Sequence, residues 1–201
     1  MKDLTRRPLA RSELPVDTAS LARYLIGKIV VRELPEGVVS GRIVETEAYV
    51  VGDAAGHAYR GMTPRNRSLF LGPGHAYVYV AYGVSNMLNV SSEAPGIGAG
   101  VLIRALEPLE GVPIMRRNRG VERLRDLARG PGRLAAALRI DRSLDGLDLC
   151  RKGPLYLGRG DPEPGEIGRS VRIGISRDAE RPLRFYLRGS PFVSGRRSLN
   201  E

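Results

Sequence analysis

The sequence is poor in the residues that form covalent cross-links and metal centres. Its 201 residues include one cysteine, Cys150, and only two histidines, His57 and His75. A single thiol excludes a disulfide within the chain. So few sulfur and imidazole ligands also exclude a cysteine-based zinc site, an iron–sulfur cluster and a histidine-rich metal site. We therefore expect a protein that works without a metal or any other cofactor.

Long apolar runs are absent as well. The N-terminal stretch MKDLTRRPLARSELP has no apolar segment of the kind found in signal peptides, and no uncharged run is long enough to span a bilayer. We expect no membrane partner, and a location in the cytoplasm of a bacterium or in the nucleus of a eukaryote. By default we expect a monomer.

Lysine is scarce, although the chain is strongly basic. It occurs only at positions 2, 28 and 152, whereas the net charge is +10. Nearly all of the excess positive charge is therefore arginine, whose guanidinium group can fork around a phosphate. Such a charge is typical of nucleic-acid-binding proteins. Ribosome-associated and membrane-surface proteins carry similar charge, so the charge alone leaves the partner open.

The apolar patterning predicts an α+β fold, a single domain with a mixed, mainly antiparallel curved β-sheet and several packed helices. We place this domain at residues 17–195. A polar N-terminal arm with two prolines precedes it at residues 1–16, and a C-terminal tail follows at residues 196–201.

Local signals place the elements of this domain. DTASLARYLIGK predicts a helix capped by Asp17 or Thr18. Helical spacing returns over the whole stretch GVPIMRRNRGVERLRDLARGPGRLAAALRID, broken at residues 130–132, and GRLAAALRI is its clearest helix. KIVVREL and VVSGRIVETEAYV predict a hairpin around residues 35–37. Further strands are predicted in the following segments: AYVYVA, NMLNVSS, GAGVLIRALEPL, GPLYLGRG, SVRIGISRD and PLRFYLRGSPFVSG.

Two carboxylates on one predicted strand are the first candidate for chemistry. Glu45, Glu47 and Tyr49 are two apart and therefore share a face. Such a pair is usually a solvated face, but a carboxylate beside an aromatic ring in a pocket can act as a general base. Arg104, within an apolar strand, needs an anionic partner, and either glutamate can supply it. The pairing is then a plain salt bridge, or it helps Glu47 to orient a reactant.

The stretch GHAYVYVAYG concentrates aromatic residues in a chain without tryptophan. Tyr77 and Tyr79 share a face of one strand, and Tyr82 falls on the other face or just beyond the strand. Such tyrosines either pack in a core or form a stacking platform for nucleobases. The pattern alone favours neither interpretation.

Two basic segments are suited to holding phosphates. TPRNR supplies the hydroxyl of Thr63, the amide of Asn66 and the guanidinium groups of Arg65 and Arg67. GPGRLAAAL places Arg133 at the predicted start of a helix, where free N–H groups favour anions. His57 stands alone in the preceding loop, and a lone loop histidine is usually solvated or bonded locally.

Taken together, GRIVETEAY, TPRNR, YVYVAYG with MLNVSS, VLIRALEPLEG and LRFYLRGSP resemble the alkyladenine (methylpurine) DNA glycosylase family, the mammalian-type 3-methyladenine DNA glycosylases. The motifs occur in family order from about residue 20 to residue 194. The resemblance implies a monofunctional repair enzyme whose partner is double-stranded DNA containing damaged purines. An enzyme of this kind flips the purine out of the duplex and hydrolyses the N-glycosidic bond, which leaves an abasic site, and it has no lyase activity.

The resemblance also implies roles for single residues. Glu47 matches the general base that activates water, Arg104 the arginine that holds that water, and the backbone carbonyl of Ile173 its third contact. Tyr82 matches the side chain that inserts into the gap left by the flipped nucleotide, and Tyr77 is left as structural. The positions that match base-contacting residues are Tyr49, His57, Tyr79 and Asn89, the last of which screens against guanine.

Two other classes compete with this interpretation. A non-catalytic nucleic-acid-binding module explains the tyrosines and the charge, and a ribosome- or membrane-associated protein explains the charge alone. A binding module has no reason to place a carboxylate where it repels DNA, so Glu47 with Arg104 favours the enzyme. Alkylated purines are the expected substrates, and deaminated or etheno purines remain open.

Overall fold

The computed structural model describes residues 7–160 and 163–200, and within these ranges it has three α-helices, eight strands and five short 3-10 helices. The α-helices are α1 (Thr18–Tyr24), α2 (Val112–Arg119) and α3 (Pro131–Ala137). The strands are β1 (Ile29–Leu34), β2 (Gly37–Tyr49), β3 (Ala76–Ala81), β4 (Ser85–Ser91), β5 (Gly100–Glu110), β6 (Leu155–Gly158), β7 (Ile167–Ser170) and β8 (Arg184–Leu187). The 3-10 helices are Arg11–Glu13, Arg67–Phe70, Leu124–Asp126, Arg142–Leu144 and Arg197–Leu199.

One curved sheet contains all eight strands, and β2 is its centre. The strand order is β3-β4-β5-β2-β1-β6, with β8 also paired to β2 and β7 paired to β8. Every pairing between strands in the described ranges is antiparallel. The α+β class and the curved, mainly antiparallel sheet are confirmed.

Irregularities in the β2–β5 ladder bend the sheet where the acidic pair lies. Three successive pairs define the irregular region: Ile43 pairs with Leu106, Glu45 with Ala105, and Thr46 with Ile103. One residue is skipped on each strand, and on β5 the skipped residue is Arg104. Such bulges increase strand twist and re-aim side chains.

Helix α1 packs beneath this central strand. The Asp17 side chain accepts a hydrogen bond from the backbone N–H of Ser20 (2.7 Å), so Asp17 is the N-cap. Leu21 and Ala22 are buried, and the Thr46 hydroxyl donates to the carbonyl of Ala22 (2.8 Å). This bond ties the helix to β2 one residue away from each of the two glutamates.

Most predicted elements are present, with two clear exceptions. The helical spacing predicted in VERLRDLARG gives no α-helix, because Gly120 ends α2 in a left-handed conformation and only the 3-10 helix Leu124–Asp126 follows. The hairpin at residues 35–37 and the helix that follows Gly130 are confirmed. The strand predicted in SVRIGISRD is wrong, because β7 ends at Ser170 and the following residues are irregular. There the backbone N–H of Ile173 donates to the Glu47 carboxylate (2.7 Å) instead of to a neighbouring strand.

The predicted arm and tail are packed in the parts that the structure describes. Leu9 and Leu14 are buried in the main core, and the N–H of Leu9 donates to the carbonyl of Leu157 (2.9 Å). At the other end, Arg184 donates to the carbonyl of Leu199 (2.9 Å). Residues 1–6 of the arm and residue 201 of the tail lie outside the described residues. Across the described ranges, no helix is both long enough and apolar enough to cross a membrane.

Gly98 allows the β4–β5 turn to approach the segment before β3, and this close approach generates a stability prediction. A Cβ atom at residue 98 would overlap the ring of Phe70 and lie 2.7 Å from the Cβ of Ala58. We expect Gly98→Ala to lower the free energy of unfolding by about 1–3 kcal/mol, the cost of overpacking a close contact. Urea denaturation measures the change. Gly153→Ala is the control, because a Cβ there meets open space; equal effects of the two variants would contradict the packing argument.

Candidate active site

A cavity of about 530 Å³ opens beside β2, at the ends of β3, β4 and β5. Its size suits a small organic ligand. Its lining includes the following residues that the sequence predicted: Tyr49, His57, Arg65, Tyr79, Tyr82, Asn89, Arg104 and Ile173. Glu47 contacts three of them from behind the lining. Thr63, Arg67 and Arg133 are not part of this wall.

Glu47 is a fully buried carboxylate with three partners. Its Oε1 accepts the N–H of Ile173 (2.7 Å), and its Oε2 accepts the Tyr49 hydroxyl (3.1 Å). The Nη1 of Arg104 lies 3.2 Å from Oε2 and completes an ion pair. A carboxylate has about four lone-pair sites, so this set leaves room for one more donor. The acidic pair is therefore not a solvated face.

Burial decides the protonation behaviour of Glu47. The pKa of Glu47 is raised because removal from water disfavours its charged form, and the charge of Glu45 adds to this. The cation of Arg104, the N–H of Ile173 and the hydroxyl of Tyr49 act in the opposite direction. A carboxyl group tuned upward in this way is a better proton acceptor than an exposed one.

Ile173 contributes through a contact that the sequence did not reveal. The resemblance pointed to its backbone carbonyl, whereas the hydrogen bond present in the structure is donated by its N–H. Ile173 also borders the cavity. The irregular backbone after Ser170 makes this possible, because a strand would commit the same N–H to a ladder.

Three aromatic rings form one wall of the cavity. The rings of His57 and Tyr79 meet edge-on with their centroids 4.4 Å apart, and Tyr77 stacks on Tyr79 at 5.4 Å. Tyr77 is buried, and its hydroxyl lies 2.9 Å from Nδ1 of His57. The histidine that the sequence left without a partner is therefore fixed by a buried tyrosine.

Asn66 in TPRNR has a structural role that the sequence did not indicate. It is buried, and its Nδ2 donates to the carbonyls of His57 (2.8 Å) and Gly61 (3.0 Å). Its Oδ1 accepts the N–H (2.7 Å) and the hydroxyl (3.0 Å) of Thr63. The Thr63 hydroxyl is thus already used inside the loop, while Arg65 extends to the cavity.

A hairpin tip projects at the edge of the cavity. Tyr82 follows the last residue of β3, is 89% exposed and has a left-handed backbone with φ of 52°. That conformation is unusual for a bulky residue. Val84 is 84% exposed beside it. Nearer the cavity floor, Asn89 is buried and its Nδ2 donates to the carbonyl of Tyr77 (3.1 Å).

Arg133 belongs to a second depression next to this hairpin. It lies there with Arg119, next to Val84 and the following residues of β4. Its Nη1 is 3.9 Å from Oδ1 of Asp126. The pKa of Arg119 is lowered, mainly because burial disfavours its charged form and also because the positive charge of Arg133 is close.

A buried ion pair supports the cavity from behind, and no pattern in the sequence pointed to it. Arg172 and Asp53 have fully buried side chains and pair directly. Arg172 also donates to the carbonyl of Ala48 (3.0 Å) and lies 4.7 Å over the ring of Tyr49. The pair connects the end of β2 to the segment that carries Ile173.

The chain is similar in sequence to DNA glycosylases of bacteria and of humans. A family model described as Methylpurine-DNA glycosylase (MPG) matches residues 12–191. A Mesorhizobium japonicum protein named as a 3-methyladenine DNA glycosylase is 82% identical over 194 residues, covering 96% of this chain and 93% of that protein. A Paraburkholderia phytofirmans protein of the same name is 54% identical, covering 96% and 90%. The human DNA-3-methyladenine glycosylase is 44% identical over 208 residues, covering 95% of this chain and 68% of that protein.

The charge of His57 at neutral pH can be tested through Arg65. The pKa of His57 is lowered because the cavity walls remove water from the ring, and the positive charge of Arg65 adds to this. We expect His57 to be neutral at pH 7, and Arg65→Gln to raise its pKa. Proton NMR titration of the two histidine rings measures both. Arg67→Gln removes the same charge outside the cavity wall and should leave His57 unchanged; an equal rise would point to net charge instead.

Proposed function

Because the chain belongs to the methylpurine-DNA glycosylase family, we propose that it removes alkylated purines from double-stranded DNA by hydrolysing their N-glycosidic bond. The observation that carries this proposal is the buried carboxylate of Glu47 behind a cavity walled by aromatic rings. The family supports a DNA repair glycosylase that acts on alkylated bases. The residues of the cavity suggest how the reaction proceeds.

Glu47 acts as the general base. A 3- or 7-alkylated purine is cationic and leaves without prior protonation, so the enzyme needs only to activate water and to stabilise the charge that develops on the sugar. Glu47 retains a lone-pair site for a water proton, and its negative charge opposes the developing oxocarbenium ion. Arg104 and the Ile173 backbone hold the carboxylate and contribute to placing the water.

The aromatic wall receives the flipped base. Tyr49 and Tyr79 offer ring faces for stacking, which is how bases are held outside the duplex. A neutral His57, fixed through Nδ1 by Tyr77, offers its second ring nitrogen to the base. Asn89 lines the cavity, and in this proposal its side chain screens against guanine by meeting the exocyclic amino group of that base.

The hairpin tip and the arginines engage the duplex. Tyr82, exposed at the edge of the cavity, inserts into the gap that the flipped nucleotide leaves. Arg65 at the cavity and Arg133 in the second depression contact phosphates on either side of it. Thr63 and Arg67 complete the proposed phosphate set, with Thr63 acting through backbone placement because its hydroxyl binds Asn66. We propose that a single copy binds the DNA.

The aromatic wall suits a non-catalytic DNA-binding module as well as an enzyme, but the buried carboxylate of Glu47 does not favour such a module. A carboxylate at the back of a DNA-binding surface repels phosphates. It is also costly to bury, and three groups are arranged to hold it. That arrangement has a purpose in hydrolysis and none in binding alone.

Glu47→Gln tests whether Glu47 is the general base. We expect the rate of 3-methyladenine release from methylated duplex DNA to fall by about 100- to 10,000-fold, because the general base is lost. Binding should persist or become tighter, since a negative charge has been removed. The measurements are single-turnover base release and fluorescence anisotropy with the same duplex. Glu33→Gln, outside the cavity wall, is the control and should behave as wild type.

The pH dependence of the wild type follows from the same group. Glu47 works as a base only when ionised, so the rate is lost as the pH falls through its pKa. Because that pKa is raised, the acid limb of the single-turnover profile should lie above the range of an ordinary glutamate. Base release by Glu47→Gln at the wild-type rate would overturn the proposed mechanism.

A further prediction is the absence of lyase activity. A lyase needs an amine that attacks the sugar, and neither lysine in the described ranges lines the cavity. Lys28 lies over the ring of Tyr24 (4.6 Å), and Lys152 faces Glu33 (3.8 Å). Borohydride reduction during turnover should trap no protein–DNA adduct, and Lys28→Ala should release bases normally. A trapped adduct that Lys28→Ala abolishes would show the opposite.

A further inference from the structure

Glu45 has more partners than Glu47 and lies further from the cavity. All three partners of Glu47 line the cavity, whereas Arg184 and Ser194, which bind Glu45, do not. It is fully buried, and its Oε1 accepts the Nε of Arg104 (3.1 Å), the Nε of Arg184 (2.7 Å) and the hydroxyl of Ser194 (2.9 Å). Its Oε2 accepts the N–H of Ser194 (2.6 Å). Four donors, three of them on Oε1, leave this carboxylate little free lone-pair capacity, so Glu45 is poorly suited to serve as a base for water.

Arg104 is shared between the two glutamates. Its Nε binds Glu45, and its Nη1 lies 3.2 Å from Glu47. The side chain reaches both because the ladder skips Arg104 in the β2–β5 register, which re-aims it along the acidic face of β2. A guanidinium group with a single carboxylate partner prefers a bidentate fork.

We propose that Glu45 is a positioning residue, which holds the Arg104 guanidinium so that only one of its N–H groups reaches Glu47. This inference rests on the proposed function of Glu47. Without Glu45, Arg104 is free to close as a fork on Glu47 and to occupy the lone-pair site that the water requires. The negative charge of Glu45 also keeps Glu47 from being over-neutralised by the arginine.

The partners of Glu45 show how it is kept in place. Arg184 is fully buried and binds the Ser170 hydroxyl (2.8 Å) as well as Glu45. Its remaining N–H groups donate to the carbonyls of Ser194 (3.1 Å) and Leu199 (2.9 Å) and to Oδ1 of Asn200 (2.7 Å). The C-terminal segment therefore belongs to the support of the candidate base.

The test removes the Glu45 charge without leaving its partner charge buried alone. Glu45→Gln combined with Arg184→Gln takes away one charge of each sign, and Ser194→Ala removes only the hydroxyl donor to Glu45. The matched control is Arg42→Gln with Glu107→Gln, an ion pair between the same two strands, β2 and β5, outside the cavity wall. Each folded protein is measured for duplex binding, single-turnover base release and the pH profile of that rate.

The expected result combines a slower reaction with a moved acid limb. A misplaced reacting group costs up to about 100-fold in rate, and we expect a loss of about 10- to 100-fold for the double variant, a smaller loss for Ser194→Ala, and unchanged binding.

The charged and titratable groups that face Glu47 are Arg104 from β5, Tyr79 from β3, and Glu45 and Tyr49 from β2. Removal of the negative charge of Glu45 lowers the pKa of Glu47. The acid limb of the rate profile should therefore move to lower pH.

Two results would overturn the inference. One is a folded double variant with the wild-type rate and acid limb. The other is a double variant whose rate falls only in proportion to its unfolded fraction and whose acid limb stays at the wild-type pH. A purely structural Glu45 would behave in that way. The proposed function is tested separately, since its failure appears as full activity of Glu47→Gln. An inactive Glu47→Gln beside a normal Glu45 variant would remove this inference alone.

Discussion

Two like charges buried side by side on one strand are the constraint around which the molecule is arranged. Glu45 and Glu47 are both fully buried on the same face of β2. An unpaired buried carboxylate is strongly destabilising, so the surroundings must supply cations and donors. Arg104 comes from β5, Arg184 from β8 and the N–H of Ile173 from an irregular segment. The ion pairs and the hydrogen bond to the β2 carboxylates therefore help to hold each of these segments in place.

The two carboxylates have different environments, and the difference separates the roles that we propose for them. Glu45 is closed by four donors and faces the protein, whereas Glu47 keeps free capacity beside the cavity. In the proposed function the surroundings of each acid, and not its residue type, divide the pair between support and chemistry. The bulges in the ladder allow Arg104 to contact both.

The sequence predicted the sheet well because alternation and turn residues are local signals. The β1–β2 hairpin and the glycine-rich turn before β5 need only neighbouring residues to be recognised. The cap at Asp17 is of the same kind. The acidic pair and its arginine were recognisable too, since a charge inside an apolar strand demands a partner.

What remained hidden depends on contacts between distant segments. Arg172 pairs with Asp53 and Arg184 with Glu45 across more than 100 positions. Neither arginine stands out in a chain so rich in arginine. The strand predicted in SVRIGISRD was wrong for a related reason, because a buried carboxylate took the N–H that alternation assigns to a ladder. The structural role of Asn66 likewise has no periodic signal.

The attachment of the C-terminal segment to Arg184 and Glu45 also bears on how the chain is synthesised. Glu45 leaves the ribosome early, yet Ser194, which binds it, is separated from it by 149 positions. Domains dominated by such distant contacts organise late. During synthesis the central strand therefore waits, with its carboxylates still in water, until residue 194 has been made and has emerged. Closure of the acidic face is thereby one of the late steps in the folding of this domain.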